Sequence, residues 1–143
     1  MLKGINLKTA GTFIAASLLV GTIAGCTADT SGLATLTIAE VVKMTASKAV
    51  TILDANNTDT RTKYGVIPGA VLLSSYSGFD AAAELPGDKA SKLVFYCSST
   101  LCSAAPKAAR LALDAGYTDV AVMPDGIKGW AEAGQPVAQA PAT

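Results

Sequence analysis

The chain has 143 residues, half of them hydrophobic, with 11 basic and 11 acidic side chains, three cysteines and no histidine. That length gives one domain, or one domain with a tail, and a balanced charge leaves no electrostatic footprint for DNA or RNA. Without histidine there can be no serine triad, Cys–His nucleophile or His-bearing zinc site, and three cysteines are too few for a Cys₄ site or a disulfide framework. No metal and no cofactor is expected.

Residues 1–25 read as an export signal. Lys3 and Lys8 make a basic start, and the uncharged stretch from Thr9 to Ala24 is 16 residues long, short of the roughly 20 that cross a bilayer as a helix. The acids all follow residue 26, so the remaining 118 residues carry 9 basic and 11 acidic groups, a formal charge of −2. The stretch ends in Ile23-Ala24-Gly25-Cys26, which resembles the lipobox of bacterial lipoproteins. The resemblance implies that Cys26 is lipidated and becomes the first residue of the mature protein, and acyl chains hold by roughly 0.8 kcal/mol per buried CH₂. It implies a cell-envelope location, lipid-anchored on the periplasmic face. Thr27 in place of Asp favours the outer membrane in a Gram-negative cell. Residues 26–35 are expected to be the lipidated Cys and a flexible tether, since Thr27–Gly32 is small and polar.

The folded part is expected over residues 36–138, with 139–143 as a tail. Thr37-Ile38-Ala39-Glu40 is a capping box that opens a helix through about Ala49. Val50–Leu53, Ala70–Leu73, Leu93–Tyr96 and Val120–Met123 are continuous apolar runs, which suit parallel strands covered on both faces. The stretch between the first two runs reads as a loop. Between the last two lies a helix in which Ala104, Ala108, Leu111 and Ala115 recur at helical spacing, with Ala105 and Ala112 beside them. Ser103 is its expected N-cap, Pro106 falls in the first turn and Gly116 stops it. The pattern predicts a small α/β domain with a parallel sheet flanked by helices on both faces.

Cys97 stands where the most apolar strand ends and a short loop leads into a helix. Ligands bind at such carboxyl ends in open parallel sheets. Successive N–H groups of the loop (Ser98, Ser99, Thr100, Leu101, Cys102) can form an anion nest, and with the helix N-terminus they stabilise a thiolate. The competing reading is a buried structural cysteine.

Several stretches resemble a rhodanese (sulfurtransferase) domain. They are Val94-Phe95-Tyr96-Cys97 with a loop ending in Ser103, Gly116-Tyr117, Val120-Ala121-Val122, Gly126-Ile127-Lys128-Gly129-Trp130 and Gly134-Gln135-Pro136-Val137. Ile52-Leu53-Asp54 and Gly65-Val66-Ile67-Pro68-Gly69-Ala70 match two further signatures. The resemblance covers about Leu36 to Val137. It implies sulfane-sulfur transfer: Cys97 takes sulfur from thiosulfate, polysulfide or a persulfide, holds it as Cys97–S–SH, and yields it to a thiol or cyanide. The binding loop is then Ser98–Ser103, and the partners are a small sulfur-containing substrate, an unidentified protein acceptor and the membrane through Cys26. Asp54 is expected to bond backbone at the sheet edge. Gly126 and Trp130 are expected as structural residues near the site, Trp130 in the core beneath the Cys97 loop.

The chain departs from the family pattern at four positions. Cys102 stands in place of an Arg that helps bind anionic donors, Thr100 in place of a Gly, Val66 in place of a His and Asn56 in place of an Arg. Lys107, Arg110 and Lys128 are candidates for replacing the charge, although Arg110 and Asp114 also form an i,i+4 pair on a helix surface. The related phosphatases need an Arg clamp after the Cys, and none occurs between Cys97 and Arg110. A thioredoxin-like motif is absent, because the cysteines are spaced Cys-x₄-Cys. Two alternatives remain at this level: a thiol redox or persulfide-handling protein using Cys97 and Cys102, and a non-catalytic binding module of the same fold.

Overall fold

Thr37 caps the first helix reciprocally. Its Oγ1 accepts from the Glu40 N–H, and Glu40 Oε2 accepts from the Thr37 N–H at 2.8 Å, so two orphan donors are satisfied at once. The structure, a computed structural model, describes residues 28–141. The export signal and Cys26 lie outside the described residues.

The elements are β1 (Ala34–Thr35), α1 (Ile38–Ala46), β2 (Thr51–Asp54), α2 (Thr58–Tyr64), β3 (Val71–Leu72), α3 (Ala81–Glu84), β4 (Lys92–Tyr96), α4 (Ala104–Asp114), β5 (Asp119–Val122) and α5 (Gly126–Glu132). The five strands form one sheet in the order β1-β5-β4-β2-β3, with every neighbouring pair parallel. Side chains alternate across it. Leu93, Phe95, Leu53, Val120 and Val122 face a layer containing α4 and α3, while Val94, Tyr96, Ile52 and Ala121 face α1, α2 and α5. Two buried faces explain why the strands read as unbroken apolar runs.

Four local expectations need correction. Helix α1 stops at Ala46, not Ala49, because Ser47 closes it and Lys48 takes the left-handed region at φ 53°. The expected loop after β2 contains α2, capped by Asn57 Oδ1 accepting from Thr60 N–H at 2.9 Å. Its sequence TDTRTKY carries almost no apolar periodicity. The packed face of α4 is Ala105, Ala108, Ala109 and Ala112, whereas Leu111 and Ala115 point outward. The described part of the expected tether, residues 28–35, is held rather than free. Ala28 N–H donates to the Thr100 carbonyl at 2.7 Å, Arg110 donates to the Asp29 and Ser31 carbonyls, and β1 pairs with β5. Among the described residues no helix is long and apolar enough to cross a membrane.

Candidate functional site

From β2 the chain moves outward to β3 and then returns to β4 on the other side of β2. The adjacent carboxyl ends of β2 and β4 are therefore the point where successive connections diverge, the place where open parallel sheets form a crevice. A cavity of about 260 Å³ opens there, lined by Asn56 and Asn57 after β2, Ser98, Cys102 and Ser103 after β4, and Tyr76. A larger cleft of about 450 Å³ lies between α2 and the segment Gln139–Pro141 and has no cysteine in its lining.

Cys97 continues the Leu93–Phe95 face of β4 and is buried at 3% exposure in the core beneath α4. Cys102 is half-buried, and Leu101 beside it is 70% exposed. The two cysteines are paired, with Cα atoms 6.3 Å apart, and the Cys97 sulfur lies 3.2 Å from the Cys102 carbonyl oxygen. The loop is closed by Cys102 N–H donating to the Ser99 carbonyl at 3.0 Å.

Helix α5 sets the peptide planes of this loop. Ile127 N–H donates to the Cys97 carbonyl at 2.8 Å and Lys128 N–H to the Ser98 carbonyl at 3.1 Å. In a trans peptide the N–H points opposite to its carbonyl, so the Ser98 and Ser99 N–H groups are turned away from α5, toward the side that carries Cys97 Sγ. Among the described residues, the N–H groups of Ser98, Ser99, Thr100 and Leu101 meet no acceptor. Gly126 makes the approach possible. Its φ is +63°, and a Cβ there would come within 2.6 Å of the Cys97 carbonyl oxygen and the Ser98 carbonyl carbon, which no side chain tolerates.

Asp54 is not at a sheet edge. It is fully buried at the end of β2, between β4 and β3. Its carboxylate accepts from Asn56 N–H at 2.7 Å, from Arg61 Nε at 3.2 Å and from Tyr96 Oη. Arg61 also donates to the carbonyls of Asp54 and Leu73, both at 2.9 Å, and Tyr96 Oη accepts from Ile67 N–H at 3.0 Å. Burial, then the Asp54 charge and hydrogen bond, push the Tyr96 phenol well above its ordinary pKa, so it remains a donor. Arg61 went unnoticed in the sequence because α2 itself did.

Other expected site residues fall differently. Trp130 is core, but it packs with Val41, Ile67 and Ile127 on the face opposite Cys97, its Nε1 donating to the Pro136 carbonyl at 2.8 Å. Ser103 precedes α4 without a side-chain cap bond. Arg110 pairs with Asp29 at 3.5 Å and not with Asp114. Lys128 Nζ lies 4.7 Å from the centre of the Tyr64 ring, while Lys107 Nζ lies 5.6 Å from that of Tyr76, which lines the cavity. Asn56 is buried with its Nδ2 unpartnered among the described residues. No cluster of three or more potential metal ligands occurs among the described residues.

Comparison with known proteins aligns residues 37–133 with the Rhodanese-like domain model. An HTH-type transcriptional regulator of Mycobacterium tuberculosis is 36% identical over 102 residues, covering 71% of this chain. The chain spans 43% of that relative's length. Among solved structures, a Rhodopseudomonas palustris protein described as a possible tyrosine phosphatase is 28% identical with a TM-score of 0.62, covering 76% of this chain and 86% of its own. The human single-domain sulfurtransferase is 24% identical with a TM-score of 0.57, over 71% of this chain and 97% of its own. Thiosulfate sulfurtransferase from Pseudomonas aeruginosa is 23% identical with a TM-score of 0.62, over 77% and 21%. The last two share the fold.

Proposed function

Since the chain belongs to the rhodanese-like domain family, we propose that it is a sulfurtransferase carrying sulfane sulfur as a persulfide on Cys97. The observation that carries this reading is the loop around Cys97. It follows the carboxyl end of β4, and α5 turns the Ser98 and Ser99 N–H groups to the side of the sulfur. Such donors stabilise a thiolate before transfer and a persulfide anion after it. In the reduced protein the Cys97 thiolate attacks the outer sulfur of thiosulfate, polysulfide or a persulfide, releasing sulfite or a thiolate. A thiol or cyanide then removes the sulfur. Phosphatase chemistry is disfavoured, because Arg110 is engaged by Asp29 and Ser31 and supplies no clamp to the loop.

Cys97→Ser is expected to abolish sulfur transfer while leaving the far-ultraviolet circular dichroism unchanged, because the side chains are nearly the same size. Transfer retained by the serine variant would place the sulfur elsewhere.

The protein acts, in this reading, at the cell envelope, anchored by lipid on Cys26. Only Thr27 separates Cys26 from Ala28, whose N–H donates to the Thr100 carbonyl, and two extended chain steps reach about 7 Å. The anchor therefore holds the Cys97 loop close to the headgroups. Cys26→Ala is expected to move the protein from the membrane to the soluble fraction; continued sedimentation with membranes would reject lipid anchoring through Cys26.

A further inference from the structure

We propose that Cys102 is a resolving thiol, which attacks the persulfide on Cys97, forms the Cys97–Cys102 disulfide and expels the transferred sulfur as sulfide. The proposal rests on the sulfur-carrier reading and adds an activity to it: reduction of sulfane sulfur at the expense of an external dithiol.

Geometry brings the two sulfurs together. The Cα separation of 6.3 Å lies within the range that a disulfide spans without backbone movement. The turn closed by Cys102 N–H on the Ser99 carbonyl holds the Cys102 backbone over the Cys97 sulfur, 3.2 Å from its carbonyl oxygen. A thiol fixed at this distance acts at an effective concentration on the order of millimolar or more, which a dilute acceptor must exceed.

The two cysteines are also unequal. Cys97 is 3% exposed, whereas Cys102 is half-buried and lines the 260 Å³ cavity with Ser98, Ser103 and Asn56. An external thiolate therefore meets the disulfide at Cys102. Attack there makes Cys97 the leaving group, and its thiolate departs into the loop N–H groups that stabilise it. Exchange is fastest with this arrangement, an accessible sulfur attacked and a stabilised thiolate released.

The cycle balances. The Cys97 thiolate attacks the outer sulfur of a persulfide RS–SH, the RS–S bond breaks and RS⁻ leaves. The Cys102 thiolate then attacks Cys97 Sγ, the bond from Sγ to the sulfane sulfur breaks and HS⁻ leaves. The cysteine pair has lost two electrons and the sulfane sulfur has gained them. A dithiol returns the electrons: one of its thiolates opens the disulfide at Cys102, and its second displaces Cys102 and closes the dithiol's own disulfide. The sum is RS–SH plus dithiol giving RSH, H₂S and the oxidised dithiol.

The test is a single turnover without added reductant. The fully reduced chain, Cys102→Ser and Cys102→Ala are each mixed with one equivalent of glutathione persulfide, and free sulfide and intact mass are followed together. The native chain is expected to release about one equivalent of sulfide and finish about 2 Da lighter than the reduced protein. Both variants are expected to keep an adduct about 32 Da heavier on Cys97 at least about tenfold longer. A native chain that holds the heavier adduct as long as the variants do, or releases sulfide without forming the disulfide, overturns the resolving role and leaves the carrier role standing. Variants and native chain that never take up sulfur overturn both.

Discussion

The carboxyl ends of β2 and β4 lie side by side, in register from Thr51 with Leu93 to Asp54 with Tyr96, yet they use their polar groups in opposite ways. After β2, Asp54 gathers a backbone N–H, a guanidinium and a phenol into a buried network that ties β2, β3, β4 and α2 together. After β4, the Cys97 and Ser98 carbonyls are fastened to α5, and the N–H groups of Ser98, Ser99, Thr100 and Leu101 have no acceptor among the described residues. A satisfied network rigidifies, whereas unpaired donors held in place are ready for an anion. If Cys97 carries sulfur as proposed, stability and chemistry are segregated to neighbouring strand ends, and substitutions on the two sides should separate them.

The sharpest break is on the β2 side. Asp54→Ala leaves the Arg61 guanidinium, only 11% exposed, without its carboxylate. Breaking a buried pair from one side costs about 3–5 kcal/mol, so urea denaturation should show a loss of that size. A loss below 1 kcal/mol would mean that Arg61 finds another partner and that the network is not what fixes this strand end.

At the seam between the two sides stands Gly126. Gly126→Ala drives a methyl group into the Cys97 and Ser98 backbone in a conformation that L residues avoid, a cost of about 1–3 kcal/mol. Because the pressure falls on the loop's peptide planes, sulfur transfer should drop by more than stability implies, measured with the variant still fully folded. Unaltered turnover would show that the α5 clamp is not needed to orient the loop.

The smallest expected effect sharpens the β4 side. Cys102→Arg restores a cation at the mouth of the loop and is expected to raise kcat/KM for thiosulfate by about tenfold, since a guanidinium–oxyanion pair is a strong charge-assisted contact. Stability should change little, because Cys102 is half-buried at the cavity wall. No gain for thiosulfate would mean that the residue at position 102 does not govern its use, with Asn56 the next position to change.

Much of this organisation was legible residue by residue. The four apolar runs became β2 to β5 within a residue or two at each end, because burial on both faces removes polar positions and leaves the run continuous. Thr37 with Glu40 marked the start of α1, and Cys97 at a strand–loop–helix junction marked the loop. Helix α2 escaped because it is short and held by caps rather than by an apolar stripe, although Asn57 and Gly65 at its ends were readable signs. Residues 28–31 read as a tether because their partners, Thr100 and Arg110, are 70 or more positions away in the chain.

What the sequence by itself determined was local: strand and helix types, the place of Cys97 at the end of β4, and the absence of histidine chemistry. Each follows from periodicity, caps and composition, which act over a few residues. Only the tertiary structure decided which face each residue joins and which distant groups meet. It moved Trp130 to the side opposite Cys97, made Asp54 the centre of a buried network through Arg61, and drew Arg110 to Asp29. It also set Gly126 against the Cys97 loop and turned the Ser98 and Ser99 N–H groups away from α5. Pairings across 7 to 81 positions depend on how the layers pack, and no window of sequence contains that information.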